Sequence, residues 1–174
     1  ALLSRLYLNC YIFKLDPNPE DFQKAKAYAE KALWLDQNCQ YAYKALAWVH
    51  LLSGKINDCE QAIRQCVDLN PKSTSITGNM GFLMICIGKY TQGFHLLLNA
   101  LSLNPVQPWY TNLGLSLYYY YAGKHEEALE WVQKAQPSDM PFAQLINTVI
   151  VEKLKKLRIN KNGKSQHPPL QARN

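Results

Sequence analysis

Apolar side chains recur along this chain at helical spacing, and the helical blocks themselves recur. Near the end, Phe142, Leu145, Ile146, Val149, Ile150, Leu154 and Leu157 fall on one stripe. Gln144, Asn147, Thr148, Glu152, Lys155 and Lys156 cover the rest, which predicts an amphipathic helix after Pro141. Glu20 to Leu35 predicts another. Laying the sequence over itself at a shift of 34 residues brings Ala47 onto Gly81, Gly54 onto Gly88, Lys55 onto Lys89, Cys59 onto Gly93, Cys66 onto Ala100, Leu69 onto Leu103, Asn70 onto Asn104 and Pro71 onto Pro105. The same shift taken backward pairs Ala25, Ala29, Ala32 and Leu35 with Cys59, Ile63, Cys66 and Leu69.

A third copy follows with altered lengths. Gly114 lies 33 residues after Gly81, whereas Gly123, Ala128 and Ala135 lie 35 after Gly88, Gly93 and Ala100. A first helix lengthened by two residues within Tyr118–Tyr121 accounts for both. Two extra residues rotate a helix exit by about 200°, so an irregular joint is expected there.

Each copy reads as a helix hairpin. Gly54, Gly88 and Gly123 stand where a first helix should stop in a left-handed turn, and Pro71 and Pro105 close the second helices. Small residues recur where the paired helices should cross: Ala47, Gly81 and Gly114 on first helices, Cys59, Gly93 and Ala128 on second helices.

The Gly-Lys…small…(Cys/Ala)…Leu-Asn-Pro pattern with this period resembles the tetratricopeptide repeat over roughly residues 2–137. The resemblance implies an all-α fold of antiparallel helix-hairpin repeats stacked in a right-handed superhelix, residues 1–158 forming about four pairs plus a last helix. That helix is either a cap or the start of a further repeat. The first copy departs most: its first helix fits only with a linking turn about three residues longer, Asp16 to Phe22, and with Leu6, Cys10 and Phe13 as the packed face. The Asn-Pro-Glu-Asp-Phe turn and the Pro108-Trp109-Tyr110 segment resemble repeats C-terminal to winged-helix or nucleotide-cyclase domains of bacterial regulators.

Charge alters the picture only at the end. Residues 1–151 carry 12 basic and 12 acidic side chains, residues 152–174 carry 7 and 1. Phosphate neutralisation would need cations spread over the folded surface, so nucleic acid is a remote partner, through the tail alone. Residues 159–174 lack periodicity and are expected to be disordered or extended. The chain starts at Ala1 without Met, as expected of a fragment, and no leader or membrane-length apolar run is seen. Five cysteines without close pairing fit a reducing cytoplasm, with Cys59 and Cys66 as buried small side chains.

Chemistry-bearing motifs are missing. His50, His95, His125 and His167 lack partners at ligand spacing, no phosphate loop or nucleophile elbow is present, and neither catalysis nor a cofactor or metal is expected. In the tetratricopeptide arrangement the first helices line the concave wall. The offsets put there Tyr41, Lys44, Trp48 and Leu52, then Ser75, Asn79, Phe82 and Cys86, then Thr111, Asn112, Leu115 and Tyr119. Such a wall suits an extended or helical protein segment with apolar residues, though Trp48 and Phe82 would look the same if they packed between helices. With Asn79 and Asn112 but only Lys44 as a cation, it does not match the carboxylate clamp of tetratricopeptide co-chaperones. Eleven tyrosines also suit self-association. The expectation is a protein-binding or regulatory module of a larger bacterial regulator, with homo-oligomerisation as the alternative.

Overall fold

The computed structural model describes residues 1–13, 18–135 and 141–164. Among them are α1 (Leu2–Phe13), α2 (Pro19–Leu35), α3 (Gln40–Leu52), α4 (Ile56–Leu69), α5 (Thr74–Cys86), α6 (Tyr90–Leu103), α7 (Trp109–Tyr121), α8 (His125–Lys134) and α9 (Pro141–Lys164). They form antiparallel hairpins α1–α2, α3–α4, α5–α6 and α7–α8, stacked as a tetratricopeptide-like right-handed solenoid. No described helix is long and apolar enough to cross a membrane.

The turns inside the three later hairpins share one geometry. Gly54, Gly88 and Gly123 take φ of +69°, +81° and +76°. The following amide of Lys55, Lys89 or Lys124 donates 2.9 Å back to the carbonyl of His50, Met84 or Tyr119. These bonds satisfy carbonyls that a helix end leaves unpaired, and a Cβ would strain the glycine. Second helices stop by a different device. The side-chain oxygens of Asp36, Asn70 and Asn104, each 34 residues apart, accept from the amides of Asn38, Lys72 and Val106 at 2.9, 3.2 and 3.0 Å. Such a turn competes with the helical ladder and ends it.

α5 is the spine. Every residue from Ile76 to Ile85 is buried, so the helix is covered on all sides, as its sparse polar content requires. Its crossing with α6 has glycine on both helices. A Cβ on Gly93 would stand 2.8 Å from the Gly81 carbonyl oxygen, and one on Gly81 would stand 2.9 Å from Leu97. Outside the core, Glu60 holds both Arg64 at 2.6 Å and Lys89 at 3.0 Å, tying α4 to the turn before α6. Cys59 and Cys66 are fully buried, as expected of small apolar side chains.

Four expectations need correction. First, α3, α5 and α7 are all 13 residues long, so the third copy has no lengthened helix, and its glycine turn is as regular as the others. The extra residue lies between α6 and α7, five residues separating them where four separate α4 from α5. Counted this way, the residue equivalent to Ala47 and Gly81 is Ser116, not Gly114. Ser116 is fully buried and donates 2.7 Å to the carbonyl of Ala128.

Second, α1 packs through Ser4 and Leu8, while Leu6, Cys10 and Phe13 are exposed. The Ser4 hydroxyl donates 2.6 Å to the Ala25 carbonyl, reproducing the Ser116 to Ala128 contact. Part of the additional length lies in α2, which has 17 residues against 14 in α4 and starts at Pro19, with the Asn18 side chain capping the Glu20 amide at 3.0 Å. Residues 14–17 of the expected long turn lie outside the described residues.

Third, α9 runs through Lys164, so residues 159–164 are helical; the remainder of the expected tail, 165–174, lies outside the described residues. Fourth, α9 buries Ala143, Ile150 and Leu154 with Ile146 half-buried, but leaves Leu145, Val149 and Leu157 exposed. The side chain of Phe142 is outside the described residues.

Candidate binding groove

Four first helices, α1, α3, α5 and α7, border a groove of about 650 Å³. Its walls are Ala1, then Leu2, Arg5, Leu8, Asn9, Ile12 and Phe13 from α1, Tyr41, Lys44, Ala45 and Trp48 from α3, Ser75 and Asn79 from α5, and Trp109 and Tyr110 from α7. Among the described residues the lining has no Asp or Glu.

A chain of polar and aromatic contacts fixes this surface. The Trp48 indole N–H donates 2.8 Å to Asn79 Oδ1. The Trp48 ring lies 6.0 Å from Phe82, which lies 6.1 Å from Trp109, which meets Tyr110 edge-on at 5.4 Å. The Tyr110 hydroxyl sits 2.7 Å from Ser75 Oγ and donates 3.0 Å to the Ser75 carbonyl. Lys44 Nζ stands 5.9 Å over the Tyr110 ring, a cation–π contact. Aromatic side chains held by hydrogen bonds of this kind lose little freedom when a ligand arrives.

Titration follows burial. Desolvation lowers the Lys44 pKa below the usual lysine value; Cys66 opposes this, and the Arg5 charge, the smallest of the three influences, lowers it a little further. Desolvation pushes the Tyr110 phenol up, partly offset by its bond with Ser75.

The expected concave residues separate into three sets. Tyr41, Lys44, Trp48, Ser75 and Asn79 meet in the groove, Tyr41 being 54% exposed. Phe82 is buried between Trp48 and Trp109 and supports the wall from behind. The rest lie elsewhere. Leu52 and Cys86 are exposed at the C-terminal ends of α3 and α5, outside the lining.

Thr111 is fully buried, its hydroxyl donating 3.2 Å to Gln107, and it crowds so close to α5 that a Cβ on Gly78 would stand 2.3 Å from it. Asn112 donates 2.8 Å to the Lys134 carbonyl and so caps the end of α8. Leu115 is fully buried with Ile85 and Leu97. Tyr119 packs edge-on to Phe94 at 6.1 Å, with Lys124 over its ring.

The α7 misplacements have one cause. Aligning Gly114 with Gly81 sets a shift of 33 where the structure requires 35, and two residues turn a helix by about 200°. The corrected shift carries Ser75 onto Tyr110, which does line the groove. Arg5 and the other α1 residues were missed because α1 is out of period with the later copies, and no local signal in α1 points to them.

Among the described residues no group of three His, Cys, Asp or Glu could hold a metal. His125 Nδ1 and Asn147 Oδ1 are buried without a hydrogen-bond partner, and neither lines the groove.

No protein-family model matches the chain. It is similar to the BBSome complex member BBS4 of Bos taurus, 27% identical over 96 residues, which is 55% of this chain. The chain spans 17% of the length of that relative. Among solved structures it is similar to MamA, with 22% identity, a TM-score of 0.56, and coverage of 85% of this chain and 93% of that one. It is also similar to PilW, a widely conserved type IV pilus biogenesis factor, with 18% identity, a TM-score of 0.64, and coverage of 87% and 77%. At these identities the likeness establishes the fold.

Proposed function

We propose that the chain is a protein-interaction module that holds an extended segment of a partner in the groove across α1, α3, α5 and α7. The observation that carries this reading is the wall of Trp48, Trp109 and Tyr110, braced from behind by Phe82 and across repeats by Asn79. Rigid aromatics in a concave site supply most of the energy in peptide recognition. Names of similar proteins support it further: one belongs to a complex and another to pilus biogenesis.

Binding to an array of short peptides tests the reading. Tyr41→Ala, at an exposed position, and Trp48→Ala lose affinity at least tenfold in this reading, while Leu52→Ala, outside the lining, keeps it. Loss of folding in step with loss of binding would make these residues core and end the proposal.

Within this proposal the chain serves a larger bacterial regulator in the cytoplasm. Support for that context is the Pro108-Trp109-Tyr110 segment, two of whose residues sit in the groove, and five unpaired cysteines that suit a reducing compartment.

Self-association is a second reading, favoured by apolar side chains left open at both ends of the stack. Leu3 and Leu6 are exposed on α1 outside the groove lining, and Leu145, Val149, Leu157 and Ile159 on α9. Light scattering over a range of concentrations decides it: a mass that rises with concentration favours assembly, and a constant monomer removes it.

A further inference from the structure

Resting on the groove reading above, we propose that the segment held there is acidic, with an internal Asp or Glu side chain lying between Arg5 and Lys44 and an apolar neighbour packed on Trp48 and Trp109. Both cations line the groove, one from each of two helices, and no carboxylate among the described residues lines it with them. Arg5 and Lys44 are in none of the described ion pairs; Lys31, Lys55, Lys72, Lys124, Lys134, Lys153 and Lys156 are in none either, but those lie outside the groove lining.

Lys44 is half-buried with an aromatic ring as its neighbour, and Arg5, exposed on α1, lines the same groove and adds a small unfavourable charge effect to it. Two like charges in a partly dry concavity repel, and an incoming carboxylate removes the repulsion while gaining two charge-assisted contacts. The sequence alone shows one cation on this wall; α1 supplies the second. Ser75 and Asn79 add polar groups beside them.

Four labelled peptide pools, followed by fluorescence anisotropy with the full chain, test this. Three are acetylated and amidated at their ends and differ in one central position, Asp/Glu, Gln or Lys, flanked by Leu and Phe. The fourth has the Gln centre and a free C-terminus. The acidic pool is expected to bind about tenfold tighter than the Gln pool and tighter still than the Lys pool, with an advantage that shrinks as salt rises.

The Arg5→Glu/Lys44→Glu double variant, checked for an unchanged helical circular dichroism spectrum, should reverse that order. If the double variant does not fold, Arg5→Gln alone, at an exposed position, should cut the acidic preference about fivefold. Equal binding of the three blocked pools overturns the acidic specificity and leaves the groove reading standing. An acidic preference that survives the substitutions places recognition elsewhere and overturns it too. Preference for the free C-terminus over the acidic centre rejects the internal side chain. No binding by any pool overturns the groove reading itself.

Discussion

Single residues set how closely the helices approach. At the α5–α6 crossing, Gly93→Ala has to displace the Gly81 backbone or Ile85, and it is expected to destabilise the fold by about 2–3 kcal/mol in thermal or denaturant unfolding. Gly88→Ala meets no atom within 4 Å, so its cost is that of the left-handed backbone alone, about 1 kcal/mol. Comparing the two variants separates crowding from conformation. Burial pushes the Cys59 and Cys66 thiols up to about 12 from their ordinary value near 9.0. A thiol whose folded pKa is raised contributes fully below the unfolded value and loses its contribution as pH climbs from 9 toward 12. Stability should therefore fall across that window by up to about 1.4 kcal/mol per pH unit for each thiol, and a Cys59→Ala/Cys66→Ala variant should flatten the decline. The burial of these two residues was readable in advance, because both replace alanines of the repeat.

Elements were legible to the degree that they obey the period. The hairpins from α3 to α6, their glycine turns and the places where their second helices stop followed from Gly54, Gly88, Pro71 and Pro105, while the side-chain turns of Asn70 and Asn104 came from the structure. The third copy was placed on its wrong face because Gly114 matched Gly81 by residue type, while Ser116, small and hydrogen-bonded, occupies the crossing. Residue identity is a weaker guide to register than distance from the glycine turn. For α1 the amphipathic reading selected Leu6, Cys10 and Phe13, yet the hydrogen bond from Ser4 to the Ala25 carbonyl sets its rotation. A serine that bonds a neighbouring backbone behaves in packing as a small residue, and a hydrophobicity pattern scores it as polar. In α9, Ile150→Ala should cost about 2–4 kcal/mol, as for a fully buried side chain, whereas Leu145→Ala, 63% exposed, should be near neutral. Similar losses for the two would show that the expected seven-residue stripe is packed after all.

Across the whole molecule, each hairpin touches mainly its neighbours, so stability propagates along the stack from one interface to the next. The groove is a property of the stack alone, since its walls come from four hairpins. This explains why only part of it was legible: Tyr41, Lys44, Trp48, Ser75 and Asn79 obey the common offset, while Arg5 and Tyr110 depend on local departures from it. The second and third hairpins share, beside their apolar packing, two ties of unlike chemistry. One is the neutral indole-to-amide bond of Trp48 and Asn79 between first helices. The other is the ionic grip of Glu60 on Lys89, half exposed to solvent. Added salt screens the second and hardly touches the first. Ionic strength should thus loosen the outer contact between these two hairpins and leave their groove-side contact as it is.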